Sequence, residues 1–217
     1  MQRNFVLAIL LFLTSPLAFA TTAYQFELIV FAHIDAASFQ SEQWSALSKE
    51  SVNVNSTLNS GVTLLSPAQF VLTDEQRRLN QYSHYETLLH LAWRESLTEL
   101  NKSHSIHLYG GHLYDNDGHI IQTSSNESLP YSPSQHWQLN GKVTVRLERY
   151  FDLNFNLLLA VPSHEVAKLT SNSQMFNLSQ PFTYIQLAQR RRSRSQELNY
   201  LDHPLYGVLF KIVPINE

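Results

Sequence analysis

Near the C-terminus of the sequence, four arginines stand within five residues, namely Arg190, Arg191, Arg192 and Arg194. A guanidinium group holds a carboxylate or a phosphate through two parallel hydrogen bonds, which the ammonium group of lysine cannot do. If the strand predicted from Phe182 continues, Arg191 lies on one face and the other three arginines on the opposite face. The run predicts a surface that binds anions, or else a solvated hairpin rim whose charges pair with Glu197 and Asp202.

The arginine run stands out against an otherwise acidic chain. Residues 190–217 carry five positive and three negative charges, whereas residues 21–189 carry nine positive and fifteen negative charges. The net charge of −3 gives no reason to expect a nucleic-acid partner. The absence of cysteine excludes a disulfide scaffold, a thiolate zinc site, a cysteine nucleophile and a lipid-anchored N-terminus.

The other residue types that could do chemistry form no known catalytic or metal-binding pattern. Four of the ten histidines flank residues 115–118, but His104 and His107 would point to opposite faces of a strand unless Gly110-Gly111 forms a bulge. The Asp-Asn-Asp-Gly segment itself is typical of a hairpin turn and lacks the glutamate that completes a calcium loop. No nucleophile elbow, phosphate-binding glycine loop or paired-carboxylate motif is present. We therefore expect a protein that is not an enzyme and has no metal or cofactor.

The first twenty residues have the features of a secretory signal peptide. Arg3 is followed by an apolar run from Phe5 to Leu13 and by the small-x-small site Ala18-Phe19-Ala20. The run is shorter than the roughly 20 residues that a transmembrane helix needs, and no later stretch is long enough. We expect cleavage after Ala20, export, no stable membrane insertion, and one mature domain over residues 21–217.

The hydrophobic pattern of the mature chain predicts mostly β-strands. Apolar patterns indicate strands at Tyr24–His33, His104–Tyr114, His119–Thr123, Lys142–Glu148, Leu153–Val161, Phe182–Gln189 and Leu205–Val213. Helices are predicted near Gln43–Leu47 and from Thr73, which opens a capping-box pattern. Residues 85–94 fit either a helix or a strand buried on both faces. Short connections favour an α+β domain, a mostly antiparallel β-sheet covered by one or two helices.

The C-terminal block resembles a known family. Residues 189–209 read QRRRSRSQELNYLDHPLYGVL. This resembles the signature of the CsiV family of periplasmic peptidoglycan-binding proteins, an Arg-Arg-x-Arg run followed by Glu-Leu-x-Tyr-Leu/Ile-Asp-His-Pro-Leu-Phe/Tyr-Gly. The resemblance extends in order over Tyr24–Phe31, Glu42–Trp44, Leu88–Arg94, and Leu139–Gly141 leading to Arg149-Tyr150. It favours a strand over residues 85–94, while departures from the family pattern at Asn199 and Glu95 weigh against ligand binding there.

The resemblance implies that the chain binds peptidoglycan and supports a bifunctional cell-wall synthase, a penicillin-binding protein, with the outer-membrane lipoprotein that activates it. An arginine cluster suits the carboxylates of stem peptides. Aromatic faces suit glycan rings, and the candidates are Tyr200, Tyr206, Trp44 and Trp93. The ligand-binding residues expected are Arg191, Arg192, Arg194, Glu197, Tyr200, Asp202, His203, Trp93 and Arg94.

Two alternatives stay open at this point. The arginine run can bind an acidic protein partner, which would make the chain an envelope protein-interaction module without direct contact to the cell wall. Asp202 and His203 can form a structural corner instead of binding a ligand. The residue before Pro204 requires extended backbone, and an aspartate carboxylate can satisfy free backbone amides.

Overall fold

The computed structural model describes residues 22–41, 62–97, 103–122, 136–170, 176 and 178–215. Within these residues the chain forms nine β-strands: β1 Thr22–Ala32, β2 Thr63–Leu64, β3 Glu86–Leu97, β4 His104–Tyr114, β5 His136–Leu147, β6 Phe151–Pro162, β7 Phe182–Ser193, β8 Asn199–Leu201 and β9 Tyr206–Ile215. The same residues contain three α-helices, α1 Ala36–Gln40, α2 Thr73–Leu79 and α3 Ser163–Leu169, and a 3₁₀ turn at Pro67–Gln69. The predicted signal peptide, the predicted helix near Gln43–Leu47 and Trp44 lie outside the described residues.

The strands form two antiparallel sheets. The first sheet has the order β2-β3-β1-β9-β8, and the second has the order β4-β5-β6-β7. β1 lies in the middle of the first sheet, between β3 and β9, and all of its residues from Gln25 to Ala32 are buried. This position explains why both faces of β1 are mostly apolar in sequence, as predicted for a central strand.

The hydrophobic core lies between the two sheets. Phe26 and Phe210 of the first sheet belong to the same buried cluster as Phe155 and Leu187 of the second sheet. The prediction of a mostly antiparallel, sheet-dominated domain is confirmed. The predicted cover by one or two helices is not confirmed. The described α-helices have only five or seven residues, although Phe39 of α1 and Val166 of α3 belong to the same buried cluster. Each sheet buries its apolar face against the other.

Residues 85–94, which were ambiguous in sequence, belong almost entirely to strand β3. β3 pairs with the central strand β1, with Trp93 opposite Phe26. Ala92 and Trp93 are buried on opposite faces of β3, and Leu88, which lies at a bulge in the pairing with β1, belongs to the same buried cluster as Trp93. Pairing with a neighbouring strand therefore decided what the local pattern left open.

Other local differences separate the prediction from the structure. The strand predicted at His119–Thr123 is reduced, in its described part, to a bridge between Tyr114 and Ile120, because β4 pairs with β5 instead. Thr73 is the first residue of α2 and not its cap. β8 was not predicted, and β7 extends through Ser193. The extension of β7 matters for function because it carries the arginine run.

A buried carboxylate, Glu27 of β1, holds the segment before α2 against the first sheet. Glu27 is 1% exposed, and its oxygens accept hydrogen bonds from the backbone N–H groups of Val71 (2.6 Å) and Leu72 (2.8 Å). Nε2 of His90 lies 2.7 Å from the same carboxylate. Burial alone would raise the pKa of Glu27, but these hydrogen bonds outweigh burial and leave the pKa below its ordinary value.

Replacing this carboxylate should make the stability of the fold less dependent on pH. We expect Glu27→Gln to lower the free energy of unfolding by about 1.5–3 kcal/mol at neutral pH, the usual contribution of hydrogen bonds to a charged group. Because the folded pKa is depressed, the contribution is present above the unfolded value of 4.5 and is lost as the pH falls through the folded value. The free energies of unfolding of the parent protein and of Glu27→Gln, measured with urea, should therefore become equal at acidic pH.

The control is Glu148→Gln, which replaces a carboxylate whose side chain is 53% exposed. Its unfolding free energy should stay within about 0.5 kcal/mol of the parent protein. If the difference in unfolding free energy between Glu27→Gln and the parent protein stays constant with pH, the charged carboxylate is not what stabilises the fold.

Tyr206, the first residue of β9, connects the two sheets across the core. Its side chain is fully buried, and its single hydroxyl proton is shared between the carbonyl oxygens of Leu157 in β6 (3.1 Å) and Ile185 in β7 (3.3 Å). Burial raises the pKa of Tyr206 well above its ordinary value, so the hydroxyl stays protonated and can donate. The ring is therefore not accessible to a glycan, contrary to the expectation from the sequence.

Removing the Tyr206 hydroxyl tests this connection between the sheets. We expect Tyr206→Phe to lower the free energy of unfolding by about 1 kcal/mol, because a buried hydrogen bond is lost while the ring still fills the core. The matched control is Tyr82→Phe, whose ring is 56% exposed. Equal unfolding midpoints in urea for the two variants would show that the hydroxyl does not tie the sheets together.

Candidate functional site

The arginine run lies at the end of β7, the edge strand of the second sheet. In the register with β6, Arg190 is opposite Asn154 and Arg192 is opposite Asp152. Arg190 donates from Nε to Oδ1 of Asp152 (2.6 Å), and its second nitrogen contacts the other carboxylate oxygen. The first arginine of the run is thus held in an ion pair with the neighbouring strand.

The Asp152 carboxylate is kept charged by the guanidinium groups around it. The hydrogen bond from Arg190 lowers the pKa of Asp152, and the charges of Arg190, Arg192 and Arg146 lower it further. Asp152 therefore faces several guanidinium groups, and the arginines here outnumber the nearby carboxylates, so this end of the second sheet is basic.

Three more guanidinium groups surround one aromatic ring, and we call Tyr150 with Arg149, Arg192 and Arg194 the arginine cluster. The guanidinium carbons of these arginines lie 5.6, 5.9 and 5.7 Å from the centre of the Tyr150 ring. Such distances are typical of cation–π contacts. In the part of the chain that the structure describes, none of the three forms an ion pair within 4.0 Å, in contrast to Arg190. The cluster therefore presents positive charge that an anion can neutralise.

The chain passes from the second sheet to the first through a tight corner between β7 and β8. Asn199 is buried, and its amide donates to Ser193 Oγ (2.7 Å) and to the carbonyl oxygen of Glu197 (3.1 Å). The backbone N–H of Arg194 donates to the Glu197 carboxylate (3.2 Å), and Gln196 has a left-handed φ of 69°. Glu197 therefore stabilises the corner that positions Arg194. The sequence offered Glu197 and Asp202 as ion-pair partners of the arginine run. The carboxylate that forms an ion pair with the run is instead Asp152.

Arg191 lies on the opposite side of β7 from its two neighbours, as the alternation predicted. Its Nε is 3.4 Å from Oδ1 of Asn199, which places the exposed guanidinium beside the corner. Gln189, on the same face, donates to the carbonyl oxygen of Asp202 (2.8 Å). One face of the run thus adjoins β8, and the other carries the arginine cluster.

Tyr200 and Asp202 form an exposed surface on and next to β8. The Tyr200 hydroxyl donates to Oδ1 of Asp202 (2.7 Å), and its ring is 44% exposed and stacks on Phe31 at 6.2 Å. Burial, and then the hydrogen bond to Asp202 and its charge, raise the pKa of Tyr200. Gly207 leaves room for this stack, because a Cβ there would lie 2.7 Å from both rings. The hydroxyl therefore stays protonated beside an open aromatic face.

His203 is held by the backbone before β9. Its Nδ1 accepts the N–H of Leu205 (3.2 Å), its carbonyl oxygen accepts from Nε2 of His33 (3.1 Å), and its ring lies 4.7 Å from that of Tyr206. Burial, and then the charge of His33, lower the pKa of His203 to about 4. These contacts are those of the structural corner that the sequence left open as an alternative.

Two residues of β3 that the sequence placed among the ligand-binding residues lie apart from the arginine cluster. Trp93 is 1% exposed and stacks on Phe26 at 5.2 Å, while its Nε1 donates to Glu95 (3.4 Å). Its ring is a core element that a glycan cannot reach. Arg94 is exposed opposite Gln25 of β1. Among the described residues, no ion pair joins Arg94 to a residue of the arginine cluster, and its guanidinium makes no cation–π contact with Tyr150.

Sequence reasoning missed several residues of this region. Arg149 and Tyr150 belong to the family resemblance, but nothing in their spacing indicates contact with the arginine run. Tyr85 lies 5.3 Å from Phe31, and Tyr82 lies 6.2 Å from Tyr85, which extends the aromatic surface beside Tyr200. These contacts depend on the sheet order β3-β1-β9-β8, which no local pattern contains.

One group of potential metal ligands lies in the turn after β4. Asp115, Asp117 and His119 offer ligand atoms within 4.8 Å of one another. Oδ1 of Asp115 already accepts the backbone N–H groups of Asp117 (2.9 Å) and His119 (2.8 Å). These hydrogen bonds are the usual ones of an aspartate turn, which the Asp-Asn-Asp-Gly segment predicted.

The fold and the arginine cluster define an antiparallel two-sheet protein with exposed guanidinium groups gathered at one sheet edge. The family model described as "Peptidoglycan-binding protein, CsiV" matches residues 4–215, nearly the whole chain. The chain therefore belongs to the CsiV family, as the resemblance of its C-terminal block implied. No curated protein and no solved structure matches the chain. Within the described ranges, no helix is long and apolar enough to cross a membrane.

The corner assignment of His203 can be tested by titration. We expect the ring resonances of His203 to titrate in NMR with a midpoint of about 4. Because the folded protein disfavours the protonated ring, the free energy of unfolding should fall as the pH drops below the ordinary value of 6.5 towards that midpoint. His203→Asn, which keeps an acceptor near the position of Nδ1, should lose part of this pH dependence. A midpoint near the ordinary histidine value would contradict the assignment.

Proposed function

We propose that this chain is a non-catalytic periplasmic protein that binds peptidoglycan through the arginine cluster. Its membership of a family of peptidoglycan-binding proteins supports the ligand. The observation that points to this surface is the collection of three guanidinium groups around Tyr150, none of them in an ion pair within the described residues. Stem peptides expose carboxylates, which guanidinium groups bind in a bidentate geometry.

The surroundings of the cluster suit a polymer with both charged and sugar parts. Arg191 lies on the other face of β7, beside the β8 corner, so a bound chain that contacts both regions passes over the edge of β7. On β8 the exposed ring of Tyr200 offers a face for a sugar ring, and the carboxylates of Asp202 and Glu197 offer acceptors for sugar hydroxyls. The proposed contacts thus lie on the two faces of one edge strand, β7, and on the corner that follows it.

We extend the proposal to the synthesis of the polymer. The family resemblance implies support or regulation of a bifunctional synthase, a penicillin-binding protein, and of its outer-membrane lipoprotein activator. A protein that holds peptidoglycan non-catalytically can keep such a synthase near its product. The predicted signal peptide would deliver the chain to the compartment where both act.

Co-sedimentation with isolated sacculi tests the site. We expect Arg192→Ala/Arg194→Ala to weaken pelleting by about tenfold, because two charge-assisted contacts are lost. The matched control is Arg77→Ala/Arg78→Ala, which removes the same charge from exposed residues of α2. Pelleting should also weaken in high salt, because exposed charges are screened. Failure of the protein to pellet, or equal pelleting of both double variants, would defeat the site.

The non-catalytic part of the proposal has its own test. Labelled sacculi incubated with the protein should release no soluble muropeptides. Any release that depends on the protein would mean that the chain is a cell-wall hydrolase.

The alternative is that the basic edge binds an acidic protein partner. The exposed guanidinium groups support this alternative as well, because they bind the carboxylates of an acidic protein in the same way as those of a stem peptide. A photo-crosslinker at position 192 in intact cells separates the two, because adducts that contain only peptide favour the protein partner. Adducts to glycan strands favour the cell wall.

A further inference from the structure

A pocket of about 450 Å³ lies at the end of β6 that is remote from the arginine cluster. Ala160, Val161 and Pro162 of β6 form an apolar part of its wall, together with Leu169 of α3. Val161 follows Asp152 by nine residues along the same strand, a separation of about 30 Å. The pocket is therefore a separate site from the basic edge.

Two carboxylates line this pocket, Glu86 of β3 and Glu165 of α3. Glu86 lies 3.0 Å from Nε2 of His112, and Glu165 lies 3.2 Å from Nε2 of His164 and 2.8 Å from Nζ of Lys168. Lys168 is not one of the residues that line the pocket. None of the described lining residues is a lysine or an arginine. The pocket is thus acidic where the opposite end of β6 is basic.

Tyr114 is a lining residue that lies within reach of the charges of both carboxylates. Its side chain is buried in the pocket wall, and burial, followed by the charges of Glu86 and Glu165, raises the pKa of Tyr114 to about 12. The two glutamates come from different elements, yet their negative potential is felt together at the tyrosine. Positive charge on a ligand at this place would be stabilised by both.

Aromatic faces complete the polar side of the pocket. The rings of His119 and His164 stack at 5.8 Å with an angle of 22° between their planes. Both rings belong to the lining, as does the ring of Tyr114. A cation is attracted to carboxylates and to the face of a tyrosine ring, whereas carboxylates repel an anion.

We propose that this pocket binds a primary ammonium group on an aliphatic stem. The ammonium lies by Glu86 and Glu165, and the stem packs along residues 160–162, where the wall is apolar. Two sources share this chemistry: the side-chain amine of a diamino acid in a stem peptide, and a free diamine. The first source rests on the function proposed above.

Calorimetric titration of the purified protein with Nα-acetyl-L-lysine amide tests the pocket. The comparison ligand is Nα-acetyl-L-norleucine amide, which has a similar stem but no ammonium group. We expect binding of the lysine derivative only, and weakening of its affinity by about fivefold or more in Glu86→Gln and in Glu165→Gln. The matched control is Glu148→Gln, an exposed carboxylate near the basic end, which should bind like the parent protein. NMR shifts should map to Tyr114 and His119.

Equal binding of both derivatives, or unchanged affinity in the two pocket variants, would overturn the proposal. Glu86→Asp and Glu165→Asp, which keep the charge, are measured beside the Gln variants. We expect the Asp variants to retain more affinity, and equal loss in both series of folded variants would also overturn the proposal. If a Gln variant loses its folded NMR spectrum, the Asp variant is compared with the parent protein, and loss of all binding in the folded Asp variants of both residues would count against the proposal.

Sacculi whose amines have been acetylated distinguish the two sources. If the stem-peptide amine is the ligand, acetylation should weaken pelleting of the parent protein and should have no further effect on Glu86→Gln. If a free diamine is the ligand, 1,5-diaminopentane should bind in calorimetry while acetylation leaves pelleting unchanged.

Binding of the lysine derivative without any pelleting would contradict the proposed function and leave the proposal for the pocket intact. Pelleting without lysine-derivative binding would defeat only the pocket.

Discussion

The rest of the structure depends on two antiparallel sheets that bury their apolar faces against each other. A polar group buried in that interface needs a hydrogen-bond partner there. The Tyr206 hydroxyl has one, because it donates a hydrogen bond to backbone carbonyls of the opposite sheet. The same packing requires the chain to cross from the second sheet to the first after Ser193. The arginine run therefore lies on an edge strand beside a crossing corner, where its long side chains stay in solvent.

Strand β6 connects the two charged regions of the molecule. Its first residues lie at the basic end, and its last residues line the acidic pocket. Exposed charges separated by more than about 8 Å are largely screened at physiological ionic strength, so the two regions act on a ligand independently. A polymer that carries both carboxylates and amines can contact both regions at once, and two weak contacts on one chain reinforce each other.

Much of the fold could be predicted because the alternation of side chains along a strand is a local property. β6 and β7 are visible in sequence for that reason. β1 shows as a short run that is apolar on both faces, and the turn at residues 115–118 shows through its turn-forming residues. β8 has only three residues, too few to show a period. The segment that became β3 carries apolar residues on both faces, and only its pairing with β1 separates a strand from a helix there.

The same division applies to the site. The sequence by itself determined that four arginines stand together and that Arg191 faces away from its neighbours, because both facts follow from the order of residues and the geometry of a strand. Only the tertiary structure decided which guanidinium groups are available. Asp152, thirty-eight residues earlier, engages Arg190, while Tyr150 gathers Arg192 and Arg194 with Arg149. Such contacts depend on sheet order and register between distant segments, which no local pattern of residues contains.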